Sequence, residues 1–304
     1  MDRRAFLKTL AGGAAVLGLG RGGGLLGAEK ALAADYPDLV AVRGSDVSAM
    51  YDKALDAVGG LGRFVSQGQK VLIKPNMGWA VEPQFAANTS PELLTRVIKN
   101  ALALGASKVS VFDNTCDNWK MAYGRSGLEE AARAAGAEVA PANQERYFQK
   151  VSLPGQTKLG ETSYHELYLE ADVIINVPVL KHHGGARMTA ALKNLMGAVW
   201  DRGDLHWGGL DQCIPELSLY KKPNLHIVEA QRVMLTGGPR GRGDSKYLAA
   251  QMLLVSTDPV AVDSASAKIL AESGIRETAY IAQAASIGLG QNDLNSLVIQ
   301  RLTA

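Results

Sequence analysis

Ionisable and amide side chains gather at the ends of several short apolar segments of this sequence. They are Lys74 and Asn76; Asp113, Asn114 and Cys116; Lys181, His182 and His183; Glu229; and Asp258, with Asp263 shortly after it. Ligands of parallel sheets bind beyond the carboxyl ends of the strands, so these groups predict one shared polar rim. The alternative interpretation is that they are ordinary polar residues of surface loops.

The segment VLKHHGGAR (179–187) carries the densest group of such residues. Gly184 and Gly185 permit a tight turn, and the pattern MTAALKNLMGAV (188–199) predicts a helix directly after it. The first turn of a helix presents free N–H groups and the positive end of its dipole. Cationic and amide side chains surround this point: Lys181, Arg187, Lys193 and Asn194. Together they predict a site for a small anion such as phosphate or carboxylate.

The adjacent histidines His182 and His183 are poorly spaced for binding one metal ion together. Neighbouring side chains of an extended segment point to opposite faces, and metal-binding pairs on helices are three or four residues apart. A single histidine could still bind a metal ion with Asp113, Glu229 or His206. Contact with an anionic substrate and a structural hydrogen bond are the other two interpretations.

A second candidate for anion binding is the glycine-rich loop GGPRGRG (237–243). Backbone N–H groups of such a loop can surround an anion, with Gly238 and Arg240 as the expected contacts; a plain surface turn is the alternative. The loop lacks the Lys-Ser/Thr ending of a P-loop. No G-x-G-x-x-G follows a predicted strand and no G-x-S-x-G motif occurs, which excludes the usual signatures of dinucleotide-binding and serine-hydrolase folds.

The two cysteines, Cys116 and Cys213, form no C-x-x-C motif. Three interpretations are open: a disulfide, ligation of an iron–sulfur cluster shared between two subunits, and unpaired thiols. Four thiolates hold the common clusters, so one chain cannot supply them, whereas a homodimer would. Both residues are therefore the candidate metal ligands.

Apolar and amphipathic segments alternate after residue 33, and this order predicts the elements that position the rim. Strands are predicted at 70–76, 108–114, 172–179, 223–230, 251–258 and 296–302, an edge segment at 148–155, and helices at 89–106, 126–137, 188–199 and 259–273. Continuously apolar strands favour a parallel sheet that is buried on both faces. We predict an α/β fold, with a largely parallel (mixed) sheet and helices on both faces, as one domain over residues 34–304.

Residues 1–33 have the layout of an export signal. Arg3 and Arg4 are adjacent, a weakly apolar, glycine-rich stretch follows, and small residues end at Ala33. This layout resembles the twin-arginine signal. We predict export by the twin-arginine machinery and cleavage after Ala33, which places the chain in the periplasm or another extracytoplasmic compartment. A retained membrane anchor is the alternative.

The overall composition bears on the partners of the chain. Its 304 residues carry a formal net charge of +2, and only 6% are aromatic. No block of lysines and arginines forms a basic stripe, so we predict no nucleic-acid partner.

Six motifs occur in order along the chain: VLIKPNMG (71–78), ADVIINVPVLKHH (171–183), LKNLMGAV (192–199), HIVEA (226–230), GGPRG (237–241) and DPVAVD (258–263). Together they resemble the family named domain of unknown function 362 (DUF362). The positions that match its motifs are Lys74, Asn76, Lys181, His183, Lys193, Asn194, Gly238, Pro239, Asp258 and Asp263. Some members of that family are fused to ferredoxin-type modules or described as iron–sulfur proteins, so the resemblance implies redox work. This chain departs from them because it has no ferredoxin module and two cysteines.

Two functional hypotheses follow. The first is a redox or electron-transfer protein with an anion pocket at the carboxyl ends of the strands. The alternative is a non-redox binding module or transferase that acts on a phosphorylated or carboxylated small molecule. The predicted catalytic residues are Lys74, Lys181, His183 and Asp258. The predicted substrate- or anion-binding residues are Asn76, His182, Arg187, Lys193, Asn194, Gly238, Arg240 and Asp263.

Overall fold

The computed structural model describes residues 36–271, residue 274 and residues 278–304. The predicted export signal lies outside the described residues. The strands are β1 (Leu39–Arg43), β2 (Lys70–Pro75), β3 (Lys108–Val111), β4 (Glu138–Val139), β5 (Phe148–Ser152), β6 (Glu161–His165), β7 (Val173–Val177), β8 (Val179–His183), β9 (Arg187–Thr189), β10 (Leu225–Met234), β11 (Tyr247–Leu248), β12 (Met252–Ser256) and β13 (Ile299–Thr303).

Helices connect most of these strands. They are α1 (Val47–Ala57), α2 (Pro91–Ala103), α3 (Trp119–Arg125), α4 (Leu128–Ala134), α5 (Glu166–Glu170), α6 (Ala191–Asn194), α7 (Arg202–Gly208), α8 (Leu210–Tyr220), α9 (Pro259–Ala271) and α10 (Ala279–Ser286). Helix α2 begins where the sequence predicts, because the Ser90 side chain accepts a hydrogen bond from the Leu93 N–H and Pro91 occupies the first turn. Within the described ranges, no helix has the length and apolar character needed to cross a bilayer.

The main sheet has the strand order β13-β1-β12-β10-β7-β2-β3-β4. All neighbours on this path are parallel except β12, which runs antiparallel to both β1 and β10. The predicted α/β fold with a largely parallel, mixed sheet is therefore confirmed. The predicted edge segment is β5, which pairs antiparallel with β6 in a separate two-stranded sheet.

Both faces of the main sheet are covered. Alternate residues of β2 divide between two apolar cores: Val71 and Ile73 pack with the buried side chains of α1, α2 and α4, whereas Leu72 belongs to the core that includes α8, α9 and α10. Alternation along a strand sends successive side chains to opposite faces. Because each face is buried, successive residues in the middle of strands such as β2 and β7 are apolar.

Two predicted elements around residues 172–199 are wrong in detail. The predicted strand 172–179 is broken at Pro178 into β7 and β8, since proline cannot donate a ladder hydrogen bond. The predicted helix 188–199 begins instead as strand β9, which folds back antiparallel onto β8 after the glycine turn. Helix α6 then covers only 191–194, and a 3₁₀ turn follows over 195–198.

The antiparallel direction of β12 moves Asp258 away from the other strand exits. The carboxyl end of β12 lies at the opposite edge of the sheet from those of β2, β3 and β7, so the predicted place of Asp258 on the shared rim is wrong. Its carboxylate instead accepts hydrogen bonds from the N–H groups of Val260 (2.7 Å) and Ala261 (2.9 Å), where it caps α9. It also accepts one from Gln291 N–H (2.8 Å).

We expect Asp258→Ala to lower the free energy of unfolding by about 1–2 kcal/mol, because an N-cap and a loop contact are lost. Urea unfolding measures this. Asp56→Ala is the matched control: Asp56 is exposed on α1, and among the described residues its side chain has no hydrogen-bond or ion-pair partner. The control is expected to stay within about 0.5 kcal/mol of the wild type. Equal stability of the two variants would contradict the capping role.

Candidate functional site

A buried ion pair lies where the adjacent parallel strands β2 and β3 end. Lys74 Nζ is 2.8 Å from Asp113 Oδ1, and neither residue is more than 3% exposed. Lys74 Nζ also donates to the carbonyl of Pro75 (2.7 Å), and Asp113 Oδ2 accepts from the Met77 N–H (2.6 Å). A buried charge needs a partner and further hydrogen bonds, and both charges have them here.

Gly197 lies directly against this ion pair. A Cβ at this position would be 1.8 Å from Asp113 Oδ1 and 2.9 Å from Lys74 Nζ. The Gly197 carbonyl accepts from the Asn114 N–H (2.9 Å). The segment 195–198 can therefore pack over the strand exits only with glycine at this place.

A cavity of about 370 Å³ opens beside the pair. Its lining includes residues that the sequence analysis names as rim or ligand candidates: Asn76, Asp113, Asn114, Cys116, Lys181, His183, Lys193, Asn194 and His206. It also includes Trp79, Thr189 and Arg202, which the sequence analysis does not name. Its size is within the range of about 300–1,000 Å³ that is usual for small-molecule sites.

Lys181, in β8, is fixed at the wall of the cavity by acceptors. Its Nζ donates to Asn76 Oδ1 (3.0 Å) and to the carbonyl of Ala87, and lies 5.9 Å from the centre of the Trp79 ring. Burial lowers the pKa of Lys181 to about 7, and the neighbouring charge of Lys193 acts in the same direction. These contacts fill two of its three N–H donors.

A chain of amides, half-buried at Asn76 and buried at Asn194 and Asn176, lies next to Lys181. Asn76 Nδ2 donates to Asn194 Oδ1 (3.0 Å), Asn194 Nδ2 donates to Asn176 Oδ1 (2.8 Å), and Asn176 Nδ2 lies 3.1 Å from His226 Nδ1. The chain joins the exits of β2 and β7 to helix α6. It fixes the positions of the residues that line the cavity.

Lys193, in α6, presents a different environment. It is partly buried, and among the described residues no hydrogen bond or ion pair occupies its Nζ. Burial lowers the pKa of Lys193 to about 8, and the charges of Arg202 and Lys74 lower it further against the opposing effects of Cys116 and Asp113. A cation in this position is short of an anionic partner.

Asp263 does not line the cavity; it holds the start of α6, the helix that carries Lys193. Its carboxylate accepts from the N–H groups of Ala191 (2.6 Å) and Leu192 (3.1 Å) at the start of α6. Burial raises the pKa of Asp263 to about 7. The prediction that free N–H groups near Met188 bind the anion is wrong, because Met188 lies in β9 and this carboxylate occupies the N–H groups of the short helix.

The two adjacent histidines diverge, as expected for an extended segment. His182 Nδ1 accepts from the Gly238 N–H (3.2 Å) and does not line the cavity, whereas His183 does. His183 Nδ1 accepts from the N–H groups of Gly185 and Ala186 (both 3.1 Å). Burial lowers the pKa of His183 to about 2, so the ring is neutral and its proton is on Nε2.

Arg202, in α7, is a cation of the cavity that the sequence analysis missed. Its guanidinium donates to the carbonyls of Asn114 (3.0 Å) and Thr115 (2.6 Å) and lies 3.1 Å from Cys116 Sγ. Arg202 lies outside the motifs and the predicted elements, so the local sequence carried no signal for it. Trp79 and Thr189 were also missed, although they lie next to or within segments that the sequence analysis names.

Three further predicted residues do not line the cavity. Arg187 is exposed on β9, and Arg240 pairs with Asp117 (3.2 Å). Gly238 packs against the chain, since a Cβ there would be 1.9 Å from the carbonyl oxygen of His182; only its neighbour Pro239 reaches the cavity. The predicted direct anion contacts of these residues are therefore wrong in this structure.

The two cysteines are both free, which contradicts a disulfide between them. Cys116 is exposed at the cavity, whereas Cys213 lies inside the apolar core of α8. Within the described part of the chain, no group of three or more His, Cys, Asp or Glu side chains is arranged to hold a metal ion. The cysteines do not fit a cluster shared between two subunits, because buried Cys213 cannot reach a partner.

We expect Gly197→Ala to lower the free energy of unfolding by about 3–5 kcal/mol, because its Cβ would force the buried ion pair apart. Gly203→Ala is the matched control, since Gly203 also lines the cavity but a Cβ there meets no atom within 4 Å. Alanine within α7 is expected to be neutral or slightly stabilising. Chemical denaturation compares the two; similar stabilities would show that the ion pair tolerates displacement.

The chain is similar to a cyanobacterial relative and to two solved structures. It is 25% identical over 224 residues to the thylakoid-associated protein sll1697 of Synechocystis, covering 71% of this chain and 67% of that protein. It is similar, at 10% identity and a TM-score of 0.39, to the lactate racemase apoprotein of Thermoanaerobacterium thermosaccharolyticum, covering 70% of this chain and 54% of that one. A Thermotoga maritima protein matches at 10% identity and a TM-score of 0.38, over 57% and 48% of the two chains.

The chain thus spans about half the length of these two solved chains. The model of a protein family, described as domain of unknown function (DUF362), matches residues 71–268. This range holds β2, β3 and β7–β10, which carry or support most of the cavity. The resemblance that the motifs indicate is confirmed: the chain belongs to the DUF362 family.

Proposed function

We propose that this chain binds a small carboxylate or phosphate in the cavity. One observation carries the proposal: Lys181, Lys193 and Arg202, from three separate segments, converge on one cavity. Among the described residues of the lining, the carboxylate is that of Asp113, which is already paired with Lys74. The cavity therefore holds an excess of positive charge that an anion would balance.

The neutral side chains of the cavity complement this charge. His183 offers an Nε2–H, and Asn114 and Thr189 add polar groups at the wall. Trp79 provides an apolar surface next to them. A few cations with neutral donors and one aromatic wall suit a small organic anion better than a bare inorganic ion.

We expect Lys181→Met to weaken binding of small anions by about tenfold or more, because a charge-assisted hydrogen bond is worth about 1.5–3 kcal/mol. Titration calorimetry and thermal shift with acetate, succinate and inorganic phosphate measure the loss. Lys99→Met is the matched control, because Lys99 is exposed on α2 and does not line the cavity. The proposal fails if none of these anions stabilises the wild-type chain.

The redox hypothesis of the sequence analysis stays a prediction. Cys116 lies at the cavity next to Arg202 (3.1 Å), but this contact by itself assigns no electron carrier. Anion binding and redox work are compatible, since an anionic cofactor would use the same cations. The non-redox binding module or transferase is the simpler hypothesis, because it uses only groups that line the cavity.

Export by the twin-arginine machinery is part of the proposal. It is supported by the adjacent Arg3 and Arg4 and by the small residues that end at Ala33. A relative is named for its association with the thylakoid. An extracytoplasmic location would place the cavity where it meets ligands from outside the cytoplasm.

We expect the double variant Arg3→Lys, Arg4→Lys to remain in the cytoplasm at full length, because the arginine pair is the signal that the export machinery reads. Cell fractionation with intact-mass analysis measures this. The wild-type chain should be recovered outside the cytoplasm with Ala34 as its first residue. Recovery of full-length wild-type chain in the membrane would support the retained anchor, and its recovery in the cytoplasm would refute export.

A further inference from the structure

The cations near the cavity differ in how their N–H groups are used. Lys74 is paired with Asp113, and Lys181 donates to Asn76 and Ala87. Arg202 is held by two backbone carbonyls. Lys193 differs from these three cations, because no acceptor among the described residues binds its amine.

This difference decides which amine can react. Burial lowers the pKa of Lys181 to about 7, but its hydrogen bonds to Asn76 and Ala87 hold its nitrogen against the wall, so this amine is not free to approach a bound carbonyl carbon. The free Lys193 nitrogen faces partial burial and two cationic neighbours, and its pKa of about 8 leaves a neutral fraction near neutral pH. A neutral lysine amine in such a setting is the usual nucleophile toward carbonyl carbon.

A proton donor lies close to this amine. His183 lines the same cavity, and the charge of Lys193 acts on its ring. The two backbone N–H groups on its Nδ1 fix the tautomer, so Nε2–H is a neutral donor. Such a donor stabilises a developing oxyanion without adding to the positive charge of the cavity.

We propose that Lys193 forms an imine with the carbonyl carbon of a small 2-oxo acid whose carboxylate is bound by Lys181 and Arg202. This inference rests on the proposed anion binding and names its substrate class. The Lys193 nitrogen attacks the carbonyl carbon, and the His183 Nε2–H binds the resulting oxygen. Both hydrogens of the amine leave with that oxygen as water, so the C=N bond replaces the C=O bond without oxidation or reduction.

Borohydride trapping tests the inference. The folded chain is incubated with pyruvate and sodium cyanoborohydride, and the adduct is located by intact mass and peptide mapping. We expect one reduced adduct per chain, on Lys193, at a rate that rises with pH through a midpoint near pH 8 as the amine loses its proton. Lys193→Arg should abolish it, whereas the matched Lys99→Arg should not.

The outcomes separate this inference from the anion site itself. Thermal shift with acetate and succinate, run in parallel, reports the site alone. If these anions bind but pyruvate leaves no adduct on Lys193, the imine is refuted and the anion site stands. Adducts on Lys181, or equally on exposed lysines such as Lys99, also refute it. Peptide mapping of the wild-type chain decides the matter even if Lys193→Arg does not fold.

Discussion

The buried ion pair of Lys74 and Asp113 is the constraint on which the rest of the site depends. Two charges that are withdrawn from water must stay together, because separating them leaves either one uncompensated at a cost of several kcal/mol. The pair therefore fixes the relative positions of the exits of β2 and β3. Gly197 can approach it only without a side chain, so the segment that carries Lys193 and Asn194 is held over the same edge of the sheet.

Most polar side chains around the cavity are held by hydrogen bonds, and this distinguishes them from Lys193. Asp263 holds the start of α6, and the amides of Asn76, Asn176 and Asn194 join that helix to the sheet. The amide donors of Asn76, Asn176 and Asn194 each have an acceptor, and such hydrogen bonds make a buried polar network rigid. Lys193 projects from this frame and, among the residues that the structure describes, has no hydrogen-bond or ion-pair partner. A rigid frame around one unpaired cation is suited to binding a small anion in a defined orientation.

Much of the fold could be predicted because strands that are buried on both faces are continuous apolar runs in the sequence. Strands such as β2 and β7 are continuous in Val, Ile and Leu, and α2 shows its cap at Ser90. The direction of a strand relative to its neighbours cannot be predicted from such a run. An apolar strand reads the same whether it runs parallel or antiparallel, so β12 was placed correctly but Asp258 was expected at the wrong edge. The helix predicted at 188–199 failed because a glycine turn gave the first residues a strand partner.

The sequence by itself determined the family, the fold class and the strand exits that supply Lys181, His183 and Asn76, since motif order and apolar periodicity are local properties. Only the tertiary structure decided which charges are paired. It brought Arg202 and Trp79, which belong to none of the motifs, to the cavity, and it assigned Asp263 to a helix terminus. Pairing and burial depend on contacts between residues far apart in the chain, and these set the protonation and the freedom of each amine.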